Sequence, residues 1–241
     1  MKSVLLGAAA ILALTPGVAP AAGHHPSKVI TGIKLQPGVH RPCGGGGLCP
    51  NWSQNSSDTG VGIDSQHFES TFANYNNSGA DDFYISAKKA LICDVGVTGV
   101  YYNGAGPASS FNVDIWKDNP GSDATRVAGV DNASYTQTGN VFDIDTTTGK
   151  KHKCIKLKGG KKGVAAHYWI SVEANCAFST CGQWGWELRP QVAGTSSAVW
   201  SEAGGFGTSC EGDDDSGSPG WNTLGVCIGS SYTGDDFMFG L

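Results

Sequence analysis

The segment Val95-Gly96-Val97-Thr98-Gly99-Val100-Tyr101-Tyr102, Asn103-Gly104-Ala105-Gly106-Pro107, Ser110-Phe111-Asn112-Val113-Asp114-Ile115-Trp116 reads as strand, turn and strand. In its second half Phe111, Val113 and Ile115 alternate with Asn112, Asp114 and Trp116. A period of two places one set against a core and the other on the opposite face of a sheet. The first half is rich in Val and continues back to Ala90, and Gly and Pro fill the gap between the halves. That pattern predicts two neighbouring antiparallel strands joined by a short loop.

The same grammar recurs on both sides. Asp118-Asn119-Pro120-Gly121 is a turn, and strands are predicted over Ser134 to Thr138, Val141 to Ile144, Lys153 to Leu157, His167 to Glu173, Trp184 to Arg189, Ala198 to Ser201 and Asp236 to Leu241. Ile63, Phe68, Phe72 and Tyr75 fit either a strand or one short helix between Val61 and Tyr75. No long segment has a 3.6-residue period, and helix formers are few in a chain with 36 Gly and only 15% charged residues. About ten short strands separated by turns predict an all-β fold, an antiparallel β-sandwich of jelly-roll type.

Two copies of Asp-Asp-Phe bracket these strands: Gly79-Ala80-Asp81-Asp82-Phe83 and Thr233-Gly234-Asp235-Asp236-Phe237. First and last strands of a sandwich often lie side by side, which would bring Asp81, Asp82, Asp235 and Asp236 to one place. Clustered carboxylates repel unless neutralised, and Ca²⁺ is the hard cation that takes six to eight oxygen ligands. The alternative is that both copies are turn aspartates leading into a strand whose Phe is core.

Between the copies come Gly99-Val100-Tyr101-Tyr102-Asn103-Gly104, Phe111-Asn112-Val113-Asp114-Ile115-Trp116, Tyr168-Trp169-Ile170-Ser171-Val172 and Trp184-Gly185-Trp186. From about Ser78 to Leu241 this order looks like a module recurring in exported bacterial proteins. The module resembles the galactose-binding-like jelly rolls that accompany secreted hydrolases. The resemblance implies a β-sandwich, a structural Ca²⁺ near the terminal strands, and loops that bind sugars or surfaces. It transfers no binding-site motif residue by residue.

The beginning of the chain reads differently. Lys2, the apolar run Val4 to Leu14 and the small residues of Ala19-Pro20-Ala21 have the form of a secretory signal peptide over 1–22. Residues 23–60 are rich in Pro and Gly and read as an extended arm, leaving 61–241 for the sandwich. No later apolar run has membrane length, so a soluble exported product is predicted. Eight cysteines follow the signal sequence, an even set that suits disulfides in an oxidising compartment. Their spacing suggests Cys43–Cys49, Cys93–Cys154, Cys176–Cys181 and Cys210–Cys227, among many possible connectivities, whereas it is poor for zinc. Sequons at Asn51, Asn55, Asn76 and Asn132 matter only in a glycosylating host.

Three groups of side chains bear on function. Trp184 and Trp186 share a strand face, and with Trp221 and the polar Arg189 they form a candidate platform for sugar rings. The competing reading is that such tryptophans form the core. Lysines concentrate at Lys150, Lys151, Lys153, Lys156, Lys158, Lys161 and Lys162. Lys151, Lys153, Lys156 and Lys158 are the candidate anion contacts of a basic hairpin, or else they protect an edge strand. Third, Glu211 and Asp213 to Asp215 form an acidic loop without EF-hand spacing.

The formal charge is −5, and −6 once Lys2 is removed, which excludes a globally basic nucleic-acid binder. No Gly-x-Ser-x-Gly, His-Glu-x-x-His or phosphate loop is present. His167 with Glu173 or Glu187 is the nearest approach to an acid–base pair. The expected function is a secreted, non-catalytic module that binds extracellular glycans or cell-surface polymers. The alternatives are a polysaccharide hydrolase or lyase on the same scaffold, and a structural or effector protein that meets an anionic partner through its lysines.

Overall fold

A computed structural model describes residues 28–31, 52–118, 120, 125–211 and 220–241. The signal peptide, most of the arm, the Cys43–Cys49 pair, part of the Asp118–Gly121 turn and Asp213 to Asp215 lie outside them. The chain forms β1 (Val29–Thr31), β2 (Val61–Asp64), β3 (Gln66–His67), β4 (Asn77–Ile85), β5 (Lys89–Ile92), β6 (Asp94–Tyr102), β7 (Ser110–Trp116), β8 (Arg126–Ala133) and β9 (Tyr135–Thr138). There follow β10 (Val141–Asp145), β11 (Ile155–Lys158), β12 (Ala166–Asn175), β13 (Gln183–Pro190), β14 (Val199–Glu202), β15 (Asn222–Thr223), β16 (Asp235–Phe237) and β17 (Phe239–Gly240). Val61 to Tyr75 holds both of the structures its pattern allowed: β2 and β3, then a 3₁₀ segment over Ser70–Tyr75.

These strands make an all-β sandwich. The front sheet runs β1-β2-β13-β6-β10-β9, with β16 on β13 and β17 on β6; the back sheet runs β15-β14-β4-β3-β12-β7-β8. Phe83, Ile85, Phe111, Val113, Ile115, Ile170 and Val172 of the back sheet share one core with Val95, Val97, Phe142, Ile144, Trp184 and Trp186 of the front. Burying each such side chain stabilises the fold by roughly 1.5–3 kcal/mol. Aromatic rings pack across the core: Phe111 of the back sheet meets Trp184 of the front sheet edge-on at 5.0 Å, and within the front sheet Trp186 stacks on Phe237 at 4.5 Å.

One expectation is corrected. β6 and β7 are not neighbours in one sheet; β6 belongs to the front and β7 to the back. Their inward residues face each other across the core, so the seven residues between them form a crossover. Tyr101 anchors that crossover from below, its hydroxyl accepting the Ala108 N–H at 2.8 Å. Gly106 N–H donates to the Cys181 carbonyl at 3.0 Å, which ties the crossover to the opposite loop.

In the front sheet, β13 and β6 pair only from Gln183↔Tyr102 to Trp186↔Gly99 and then diverge. The C-terminal strand fills the fork. Met238 donates its N–H to the Glu187 carbonyl at 2.9 Å, and its own carbonyl accepts the Thr98 N–H at 3.1 Å. Beyond that point Phe237 pairs with Leu188 on one prong and Phe239 with Val97 on the other.

β5 and β11 make a separate two-stranded sheet, stapled at its end by Cys93–Cys154. Cys176–Cys181 and Cys210–Cys227 complete the three disulfides among the described residues, each as the spacing suggested. Among those residues no helix is long and apolar enough to cross a membrane.

Candidate ligand-binding face

Alternation along β4, β7 and β12 sends Phe83, Ile85, Phe111, Val113, Ile115, Ile170 and Val172 into the core and leaves a second set on the outer face of the back sheet. Strand register sets that face out in rows. Tyr84 stands opposite His167. The next row is Asp82, Trp169, Trp116 and Arg126. After it come Val199, Ala80, Ser171, Asp114 and Gly129, and further along Glu173 faces Asn112.

Aromatic rings form a chain over the first two rows. Trp52 lies 6.0 Å from Tyr84, Tyr84 stacks on His167 at 4.7 Å and 19°, and His167 lies 5.9 Å from Trp169. Trp221 closes on Trp116 at 6.0 Å. Trp116, Trp169 and Ala80 form an apolar cluster separate from the main core, with Val199 and Trp221 packed on it. Trp52, Tyr84, His167 and Trp221 are partly exposed, whereas Trp116 and Trp169 are buried.

His167 also reaches Asp82, with Nε2 2.7 Å from Oδ2; the imidazole is 32% exposed and the carboxylate fully buried. Asp82 is held from the other side by the Ser196 N–H, 3.1 Å from each carboxylate oxygen. Burial, and then the charge of Asp82, push the Tyr84 hydroxyl above its ordinary range. The stacked Tyr84–His167 pair is therefore fixed by a buried carboxylate beneath it.

The far end of the face is polar. Asn175 Nδ2 donates to Asn112 Oδ1 at 2.8 Å and to Ser110 Oγ at 2.9 Å, and Ser110 Oγ donates to Asn132 Oδ1 at 3.2 Å. On the neighbouring row Arg126 Nε donates to Asp114 Oδ1 at 2.7 Å. One face thus offers flat rings at one end and amide and hydroxyl groups at the other.

The structure separates the sequence-based platform. Trp184 and Trp186 are completely buried between the sheets, so neither presents a ring to a sugar. Their shared face is the inner one. Trp221 belongs to the outer face of the back sheet, while Arg189 lies on the front sheet opposite Asp236. Arg189 donates to the Pro190 carbonyl and to Ser56 Oγ. His167 pairs with Asp82; Glu187 is on the other sheet. The outer-face residues were readable in principle, because Trp116 shares its parity with Asn112 and Asp114, and His167 and Trp169 share theirs with Ser171 and Glu173.

The two Asp-Asp-Phe copies do meet. Asp81 Oδ2 accepts the Phe237 N–H and Gln54 Nε2, each at 2.7 Å, and Asp81 Oδ1 accepts the Asp82 N–H at 2.8 Å. Burial, and then the charge of Asp236, push the Asp81 carboxyl well above the usual range. Asp236 Oδ2 accepts the Val192 N–H at 2.7 Å and the Thr195 hydroxyl at 3.1 Å, while its Oδ1 is buried without a partner. Burial raises Asp236 to about 6 and also raises Asp235, which is half-buried. Among the described residues, no three His, Cys, Asp or Glu side chains are grouped so as to hold a metal.

Lys156 and Lys158 extend outward from β11, and Lys151 and Lys153 are exposed in the turn before it. Comparison of this chain with protein-family models, with curated proteins and with solved structures finds no match.

Proposed function

We propose that this chain is a secreted, non-catalytic β-sandwich module that binds extracellular glycans on the outer face of its back sheet. The observation that carries the reading is the partly exposed, stacked pair Tyr84–His167 on the outer face of the back sheet, flanked by the partly exposed ring of Trp52. Rings of this kind stack on the apolar faces of sugars, and the Asn112–Asn132–Asn175 amides suit hydroxyl groups. Three disulfides support an oxidising compartment. The sandwich is also compatible with the galactose-binding-like resemblance, to which the glycan reading owes its direction.

Purified protein applied to a glycan array, with a turnover assay on the glycans it retains, tests the proposal. Binding without turnover, weakened by Tyr84→Ala, supports it; no binding to any glycan overturns it. One observation favours chemistry as a second reading, namely the partly exposed His167 held against buried Asp82, an arrangement suited to a general base. Turnover lost in His167→Ala would establish that reading instead. A structural Ca²⁺ is proposed at Asp236, whose Oδ1 is buried without a hydrogen-bond partner.

A further inference from the structure

The lysines identified along 150–162 do not make up the whole of the basic surface, because β11 pairs with a strand that brings two more. Lys88 immediately precedes β5 and Lys89 opens it, and Lys89 stands directly opposite Lys158. The inward residues Ala90, Ile92, Ile155 and Leu157 enter the core, so Lys89, Lys156 and Lys158 are left outward with Leu91. Like charges placed directly across a ladder are destabilising. The ion pairs among the described residues join Arg126 to Asp114 and Asp131, and His167 to Asp82; none includes a lysine of this surface.

The backbone ties this surface to the ring chain. Tyr84 and Ile85 end β4, and Gly160 donates its N–H to the Ile85 carbonyl at 3.0 Å and to the Ala87 carbonyl at 2.8 Å. Gly159 donates to the Lys88 carbonyl at 2.9 Å. A Cβ on Gly159 would strike the Ala87 carbonyl oxygen, so the glycine pair lets the two loops touch. The chain then makes a tight turn in which Lys161 and Val164 exchange backbone hydrogen bonds at 3.0 Å, and Lys162 takes a positive φ of 53°. Two residues later it enters β12, whose second residue is His167. Lys88, Lys161 and Lys162 are exposed and stand at the end of the sheet that carries Tyr84 and His167.

From this continuity we infer that the ligand is an acidic polysaccharide, a chain bearing carboxylate or sulfate groups. Its sugar rings stack on Tyr84 and His167 while its charges meet Lys88, Lys89, Lys158, Lys161 and Lys162. The inference rests on the glycan reading of the outer face and names its ligand class. Charge complementarity argues for the anion, and adjacency to the rings argues for a sugar polymer over a nucleic acid or a membrane. Counterions released from such a polymer make the interaction weaken steeply with salt.

The test measures binding of the full chain to polygalacturonate, to neutral galactan of similar length and to double-stranded DNA, at 50 and 300 mM salt. The expected result is at least tenfold tighter binding to polygalacturonate than to either competitor, lost at the higher salt. The variant K89Q/K158Q/K161Q/K162Q changes only exposed side chains; it should lose that preference while keeping the parent unfolding curve. Equal retention of acidic and neutral polymer, or an unaffected quadruple variant, overturns the inference and leaves glycan binding standing. Tightest binding to DNA overturns it in favour of a nucleic acid. Retention of neither glycan removes the reading on which it rests.

Discussion

The Phe237 backbone N–H donates to Asp81 Oδ2 at 2.7 Å, so the first Asp-Asp-Phe copy holds the second by a direct hydrogen bond. The ring of Phe237 lies over Gly79, where an added Cβ would come within 2.6 Å of Cζ. Glycine at 79 is therefore the space that the closing strand needs. Gly79→Ala should destabilise the protein by about 1–3 kcal/mol, the usual cost of overpacking a filled core. Chemical denaturation measures this; an unchanged midpoint contradicts the packing.

Glu187 gives the fold a pH dependence with a definite sign. Burial, and then the charge of Asp58, raise its carboxyl from 4.5 to about 7, against a lowering by Asn140. The folded protein therefore binds a proton more tightly than the unfolded chain. That contribution is fully present below about pH 4.5 and is lost as pH rises to about 7. The rise corresponds to on the order of 3 kcal/mol. Asp236, raised to about 6, acts in the same direction over a lower window. Glu187→Gln should flatten the fall in unfolding free energy between pH 5 and 7, and an unaltered slope there would refute the assignment.

On the outer face, Tyr84→Ala should weaken glycan binding about tenfold, equivalent to roughly 1.4 kcal/mol, with little change in stability. Trp184→Phe is the contrasting variant. It changes a core residue packed on Phe111 and Phe142, so stability should fall while affinity per folded molecule stays constant. Titration calorimetry beside unfolding curves separates the two. The opposite pattern would return the platform to Trp184.

The calcium proposal has its own signature. Ca²⁺ should raise the unfolding midpoint relative to chelator, and Asp236→Asn should abolish the difference by changing the carboxylate that carries the unpartnered Oδ1. Coincident curves with Ca²⁺ and chelator dispose of the ion.

Strand positions were legible because alternation is a local property. Ser110–Trp116 is bounded in the structure as its pattern implies, and β9, β10 and β13 differ from theirs by one or two residues. Which sheet each strand joins depends on partners far away in the chain, so the segment between β6 and β7 has the local pattern of a hairpin loop and is nonetheless a crossover. The face of Trp184 and Trp186 failed for a related reason. Parity places two residues on one side of a strand without saying which side is inward. In β12 the inward side is marked by the sequence itself, because Tyr168, Ile170 and Val172 alternate with His167, Ser171 and Glu173. β8 was not anticipated: Gly129, Asp131 and Asn132 weaken its strand pattern, and it forms against the exposed edge of β7. The Asp82–His167 pair joins residues 85 positions apart, a distance no spacing rule spans.

The filled fork in the front sheet bears on how the molecule is made. Asp81 waits for a partner 156 residues downstream, and β6 and β13 stay open where Met238 belongs until that segment arrives. Contacts so distant in sequence delay closure and slow folding. Until that segment docks, both prongs present unpaired backbone that other chains can pair with.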